Sequence, residues 1–156
     1  MQFAAHLAAL IAILGAGVVY STDVFGALVL RPGLARVDDA TLTAVMGNVH
    51  RFGDQRMPIP GALGLVGSAA ACILAAAAGK PVASAAAGAA LAMLIVWLVL
   101  YLRISAPINR VQTAAADAHE TPANARSLQH DWERIIVPRA VLQGLAVAAL
   151  CVALLN

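Results

Sequence analysis

VASAAAGAALAMLIVWLVLYL, residues 82–102, and ALGLVGSAAACILAAAAG, residues 62–79, contain no ionised side chain. Each is long enough to cross a hydrocarbon layer, which takes about 20 apolar residues in a helix. Only Gly79-Lys80-Pro81 stands between them, a turn so short that the two must form an antiparallel hairpin. Outward from this hairpin, hydropathy places four spans at roughly 5–30, 59–79, 82–102 and 136–155. Only helices and closed barrels satisfy the backbone inside lipid, and runs of this length fit helices rather than short alternating strands. The reading is all-α: a single integral membrane domain over 1–156, built as a four-helix transmembrane bundle.

Composition agrees. Of 156 residues, 62% are hydrophobic and 12% charged, with a mean hydropathy of +0.84, more apolar than a soluble core needs. A net charge of +2 with dispersed arginines excludes nucleic-acid binding by a basic stripe. Cys72 and Cys151 both fall within spans, where small buried residues are expected rather than a disulfide or metal thiolates. Met1-Gln2-Phe3 lacks the basic residues that open a secretory signal, so the first helix is expected to be retained. Gly61, Gly64 and Gly67 in the second span, and the small residues from Ala83 to Ala90 in the third, let backbones approach closely.

Four spans put the loops at 31–58 and 103–135 on one face and the termini with the Lys80 turn on the other. Arg31, Arg36, Arg51, Arg56, Arg103, Arg110, Arg126, Arg134 and Arg139 lie on or beside the two-loop face, against Lys80 alone opposite. Under the positive-inside rule both long loops face the cytoplasm and both termini face outward, as in a bacterial inner membrane. In the first inward loop, Asp38-Asp39 marks a helix start, followed by Leu42, Val45, Met46, Val49 and Phe52 at amphipathic spacing, which predicts a short interfacial helix. The second loop opens with Pro107-Ile108-Asn109. A further helix starts near Pro122 and Ala123 and extends into the last span, with a kink expected at Pro138.

Seven of the eight acidic residues and three of the four histidines belong to the two loops. His50 and Asp54 are four residues apart, as are Arg126 and His130, while His130 and Glu133 are three apart, so each pair shares a helix face. With His119 these residues define a candidate metal set of His50, Asp54, His119, His130 and Glu133; a solvated, ion-paired interface explains the same pattern. No HExxH, paired ExxH or CxxC is present. Asp23 lies within the first span, where a carboxylate is costly and is expected to face the bundle interior, paired with Arg103 or Arg139 or lining a cavity. Tyr20, three residues earlier, shares its face. Trp97, Tyr101 and Trp132 fit an aromatic belt, or a surface on which a flat aromatic substrate stacks.

The order of these features resembles the anthrone oxygenase-like family, the DUF1772 group. The resemblance rests on Gly17-Val18-Val19-Tyr20 leading to Leu30-Arg31-Pro32-Gly33-Leu34, on Pro107-Ile108-Asn109 after the third span, and on Trp132 and Arg139 at the fourth. It implies a small membrane monooxygenase that oxidises anthrones to anthraquinones, with no established flavin or haem. It also implies a general base at His130 or His50, oriented by Asp23 or Glu133, with Arg139 and Asn109 stabilising the oxyanion. One departure stands out: Ile136 occupies the place of a histidine common between the tryptophan and the arginine of the family's last motif.

The leading expectation is a membrane oxidoreductase acting on a small hydrophobic, aromatic substrate near the cytoplasmic face. Its cofactor requirement is either none or a single transition metal. The alternatives are a metal-dependent oxidase using the His and carboxylate set above, and a non-catalytic subunit or small-molecule binding protein. A homo-oligomer fits any of these. Four spans without an inverted repeat argue against a stand-alone transporter.

Overall fold

The computed structural model describes residues 1–156. The chain forms five helices: α1 over Gln2–Leu34, α2 over Asp39–Arg56, α3 over Pro58–Ala77, α4 over Pro81–Asp117 and α5 over Ala125–Leu155. There are no strands. Helices α1, α3, α4 and α5 are each long and apolar enough to cross a membrane. They pack in a ring, with α1 and α4 on opposite corners and each touching both α3 and α5. Helix α2 lies outside the ring, against the end of α4 beyond Ala106. Chains of exposed Leu, Ile and Val, among them Leu14, Val66 and Ile73, cover the outside of the ring, as a bundle solvated by lipid requires. The protein is an all-α integral membrane bundle.

Two helices run further than hydropathy indicates. Helix α1 continues past 30 to Leu34, and α4 continues past 102 to Asp117, through Pro107. Both extensions follow one wide turn, Gly26–Leu30 in α1 and Tyr101–Ser105 in α4, closed by five-residue hydrogen bonds from Arg31 N–H to Gly26 O and from Ala106 N–H to Tyr101 O. Each wide turn ends two residues before a proline, Pro32 or Pro107. A proline has no N–H to donate and its ring crowds the carbonyl four residues back; widening the turn lets the helix pass that point instead of ending. At about 1.5 Å per residue, the 37 residues of α4 span about 55 Å, well beyond the roughly 30 Å hydrocarbon core. The second loop is thus largely helix.

The remaining boundaries follow local chemistry. Asp38 caps α2, its Oδ1 accepting the Thr41 N–H at 2.7 Å, and this hydrogen bonding from Thr41 holds the Asp38 carboxyl below the usual range. Pro58 and Pro81 open α3 and α4, where a missing N–H costs nothing. Helix α3 ends at Gly79, whose φ of 69° lets Lys80 N–H reach Ala75 O at 2.9 Å and Gly79 N–H reach Ala76 O at 3.0 Å. Helix α4 ends in the same way, with His119 in the left-handed position at φ 56° and Glu120 N–H bonded to Ala115 O at 3.0 Å. Helix α5 starts at Ala125, close to the expected 122–123, and runs as one helix through Pro138 to Leu155.

A candidate active-site cavity at the loop end of the bundle

The loop end of the bundle holds a cavity of about 390 Å³ bounded by α1, α2, α3, α4 and α5, within the ~300–1,000 Å³ typical of small-molecule sites. Helical spacing explains who lines it. On α1 the inward stripe is Val19, Asp23, Gly26 and Leu30; on α2 it is His50, Gly53 and Asp54, continued by Met57 just past the helix. Both sets follow the three-and-four spacing of a single helix face. From α4 come Trp97, Tyr101 and Asn109, and from α5 Trp132 and Arg139. Gly61 on α3 leaves room for the Trp97 ring, which would lie 3.5 Å from an added Cβ.

Two polar groups stand in this largely apolar wall. In the first, Arg139 Nη2 donates to Asp23 Oδ1 at 2.8 Å and Nη1 to Ser105 Oγ at 2.7 Å, while Gln143 Nε2 donates to Asp23 Oδ2 at 2.5 Å. Asp23 is 3% exposed and Arg139 6%, so each charge depends on the other. In the second, Asp54 Oδ1 accepts from Tyr101 Oη at 2.7 Å and from Asn109 Nδ2 at 2.9 Å. The Arg139 guanidinium lies 5.7 Å from the Tyr101 ring centroid and joins the two groups.

His50 stands between these groups without a bond. It is 4% exposed, its ring centroid is 5.4 Å from that of Trp132, and neither Nδ1 nor Nε2 has a hydrogen-bond partner. Burial pushes its pKa down to about 4, outweighing the opposing pull of the Asp54 carboxylate. The imidazole is therefore neutral at physiological pH, packed with the Gln112 side chain close by. Trp97 Nε1, Trp132 Nε1, Arg139 Nε and Asn109 Oδ1 are also buried and unpartnered. Buried polar atoms are normally paired; here several without partners cluster beside one cavity, each enclosed by its neighbours.

Most of the residues singled out in the sequence meet here. Asp23, Arg139, Asn109 and His50 share the cavity with Trp97, Tyr101 and Trp132, and Arg139 rather than Arg103 is the partner of Asp23. Tyr20 does not line it; its ring packs over Gly144 of α5. His130 is exposed. Trp132, Ile136, Arg139 and Gln143 define the inward face of α5, and two residues from Trp132 at about 100° per residue turn His130 to the opposite side. Glu133 faces away from the cavity, bonded to Arg31 Nε at 3.1 Å and Gln129 Nε2 at 3.0 Å. The five residues of the metal set do not converge: His119 caps α4, His130 is on the surface, and no three His, Cys, Asp or Glu residues gather as a group that could hold a metal. Ile136 is fully buried among Leu42, Met46 and Trp132. Ser105 and Gln143 are the polar contributors that sequence reasoning missed; Gln143 falls four residues after Arg139 in an apolar run, which is the spacing that would have revealed it.

Compared with known protein families, characterised proteins and solved structures, the chain matches none.

Proposed function

We propose that the protein is a membrane-embedded oxidoreductase, an anthrone oxygenase-like monooxygenase that acts on a small hydrophobic aromatic substrate. The observation that supports this reading is His50: a neutral imidazole beside Trp132, buried at the wall of an apolar cavity with neither nitrogen in a well-formed hydrogen bond. An anthrone loses a proton from the ring carbon opposite its carbonyl with unusual ease, because the resulting anion is an aromatic phenolate. His50 takes that proton. The donors of Arg139 and Trp97 stabilise the oxyanion, and Asp54 stabilises the imidazolium. Dioxygen, itself apolar, accepts the carbanion's electrons and bonds to the same carbon; loss of water from the hydroperoxide leaves the second carbonyl. Carbon is oxidised, oxygen is reduced to one carbonyl and one water, and no outside reductant is consumed. The arginine bias of the loops supports placing this end of the bundle in the cytoplasm, with both termini outward.

Oxygen uptake on a hydroxylated anthrone, measured with protein in liposomes and corrected for spontaneous oxidation, tests the reading. His50→Gln is expected to lower the enzymatic rate by about 10²-fold or more, while His130→Ala leaves it unchanged. No uptake above protein-free liposomes refutes the oxidase; a fully active His50→Gln variant refutes the base.

A further inference from the structure

We infer that the cavity opens sideways into the bilayer through a portal between α1 and α2, and that its ligand is an aromatic head whose apolar tail stays in the lipid. This deepens the reading of the same site, and rests on it only for the reaction, not for the binding.

The portal follows from how each helix meets the cavity. On α1 the buried stripe Val19, Asp23 and Gly26 is flanked by Thr22 and Phe25, which also line the cavity but are exposed. On α2, buried His50 is flanked by exposed Val49, and half-buried Gly53, with Met57 just past the helix, continues the cavity edge. Both helices thus carry exposed residues, Thr22 and Phe25 on α1 and Val49 on α2, beside the buried ones that line the cavity. Helix α2 packs on the extension of α4 rather than on α1, so a gap remains between those exposed residues, crossed at one point where Thr22 Oγ1 comes within 3.9 Å of Met57 Sδ.

The rim also places the gap. Phe25, Val49, Met57 and Pro58 are apolar, and Phe25 is 55% exposed on the lipid-facing surface beside Leu28 and Val29, which are equally bare. A mouth of this chemistry, at the loop-proximal end of a transmembrane helix, borders acyl chains near the headgroups rather than water. The polar groups, Asp54, Asn109, Tyr101 and Arg139, sit behind it on α2, α4 and α5. A ligand reaching them from the lipid presents its polar ring first, and whatever apolar chain it carries trails out through the mouth. The unpartnered atoms packed just behind the wall include donors at Trp97 and Trp132 and acceptors at His50 and Asn109, which suits a hydroxylated ring that both donates and accepts once these side chains turn toward it. A lipid-soluble phenol or hydroquinone is the class that fits.

Trp97 and Trp132 are the only tryptophans and both line the cavity, so intrinsic fluorescence reports its occupancy. Protein in liposomes under argon is titrated with a hydroquinone ring bearing a methyl or a decyl substituent, and quenching is plotted against mole fraction in the bilayer. With an open portal both ligands quench saturably with midpoints within about twofold; a closed cavity of this size predicts loss of the decyl ligand. Gly53→Leu adds a side chain to the rim at a position where a Cβ meets nothing within 4 Å, and is expected to weaken the decyl ligand at least tenfold. Gly17→Leu, on α1 away from the cavity and equally unobstructed, is expected to bind as the wild type does. Non-saturating quenching, loss of the decyl ligand in the wild type, or no effect of Gly53→Leu overturns the portal. Anthrone oxidation on the same sample separates the two readings: saturable binding without oxygen uptake keeps the portal and removes the oxidase, and oxygen uptake without tail tolerance does the reverse.

Discussion

The two ends of the bundle use opposite packing strategies. Toward the termini the spans meet through alanine, with Ala9, Ala71, Ala75 and Ala87 buried in one layer, and the crevice there is only about 10 Å³, room for one water at most. Toward the loops the buried residues are Leu42, Met46, Trp132 and Ile136, two helices carry wide turns, and the cavity is about 390 Å³. Hydropathy is high along both halves. What separates them is side-chain size: small residues bring backbones into contact, as in other lipid-embedded helix pairs, while indole and phenol rings hold the helices apart and leave space between. One end of the bundle is a clamp and the other a container.

The strongest test of the container is its buried ion pair. Arg139→Ala leaves Asp23 with a charge and only Gln143 to bond it, at an expected cost of about 3–5 kcal/mol, read as a lower unfolding midpoint in detergent. The double variant Asp23→Leu, Arg139→Met removes both charges and is expected to recover most of that stability while remaining inactive in oxygen uptake. If the double variant is as unstable as the single one, the pair holds the loop end together rather than serving the site.

A second, somewhat smaller effect concerns pH. With the His50 pKa lowered from 6.5 to about 4, the folded and unfolded chains are both neutral at this position above pH 6.5, and its contribution is intact there. As pH falls below 6.5, the unfolded chain takes up a proton that the folded chain refuses, so stability declines until pH nears 4. The loss is on the order of 3 kcal/mol across that window. Unfolding followed from pH 7 to 4.5 is expected to show a steeper loss in the wild type than in His50→Gln. Equal slopes would mean that His50 is hydrated. For the proposed reaction, the same pKa is expected to set the acid limb of kcat/KM near 4 instead of 6.5, because the free base would persist to lower pH.

The sequence reveals the container better than the histidine that borders it. A carboxylate in a lipid-crossing run is so costly that Asp23 announces an interior partner, and Arg139, Asn109 and the aromatics lie at the same depth. His130 misleads because its three-residue spacing to Glu133 is real but belongs to the outer face of α5. Deciding which face turns inward needs the neighbours: α1 supplies Gly26, which sits against Trp132 and Ile136, and that contact is invisible in one helix's periodicity. The extensions of α1 and α4 escape hydropathy for another reason. Polarity rises after residues 30 and 102 while the helix continues, carried past Pro32 and Pro107 by turns whose hydrogen bonds no composition encodes.

The finest test of the clamp and container lies within a single helix. Gly61, Gly64 and Gly67 on α3 read alike in sequence, as small residues for close packing, yet the structure divides them. A Cβ at Gly67 would lie 2.9 Å from Ala12 Cβ and 3.0 Å from both Ala12 N and Ala8 O, so backbone would have to move, whereas a Cβ at Gly61 meets only the Trp97 ring edge at 3.5 Å. Gly67→Ala is therefore expected to destabilise by about 1–3 kcal/mol, the usual penalty for overpacking, by prising α1 from α3 in the clamp. Gly61→Ala gains helix propensity of about 1 kcal/mol and gives up only a little cavity volume, so its unfolding midpoint is expected to match or exceed the wild type. Should Gly61→Ala prove as damaging as Gly67→Ala, α3 would be packed tightly along its whole length, and the space beside Trp97 would not be there to receive a ligand.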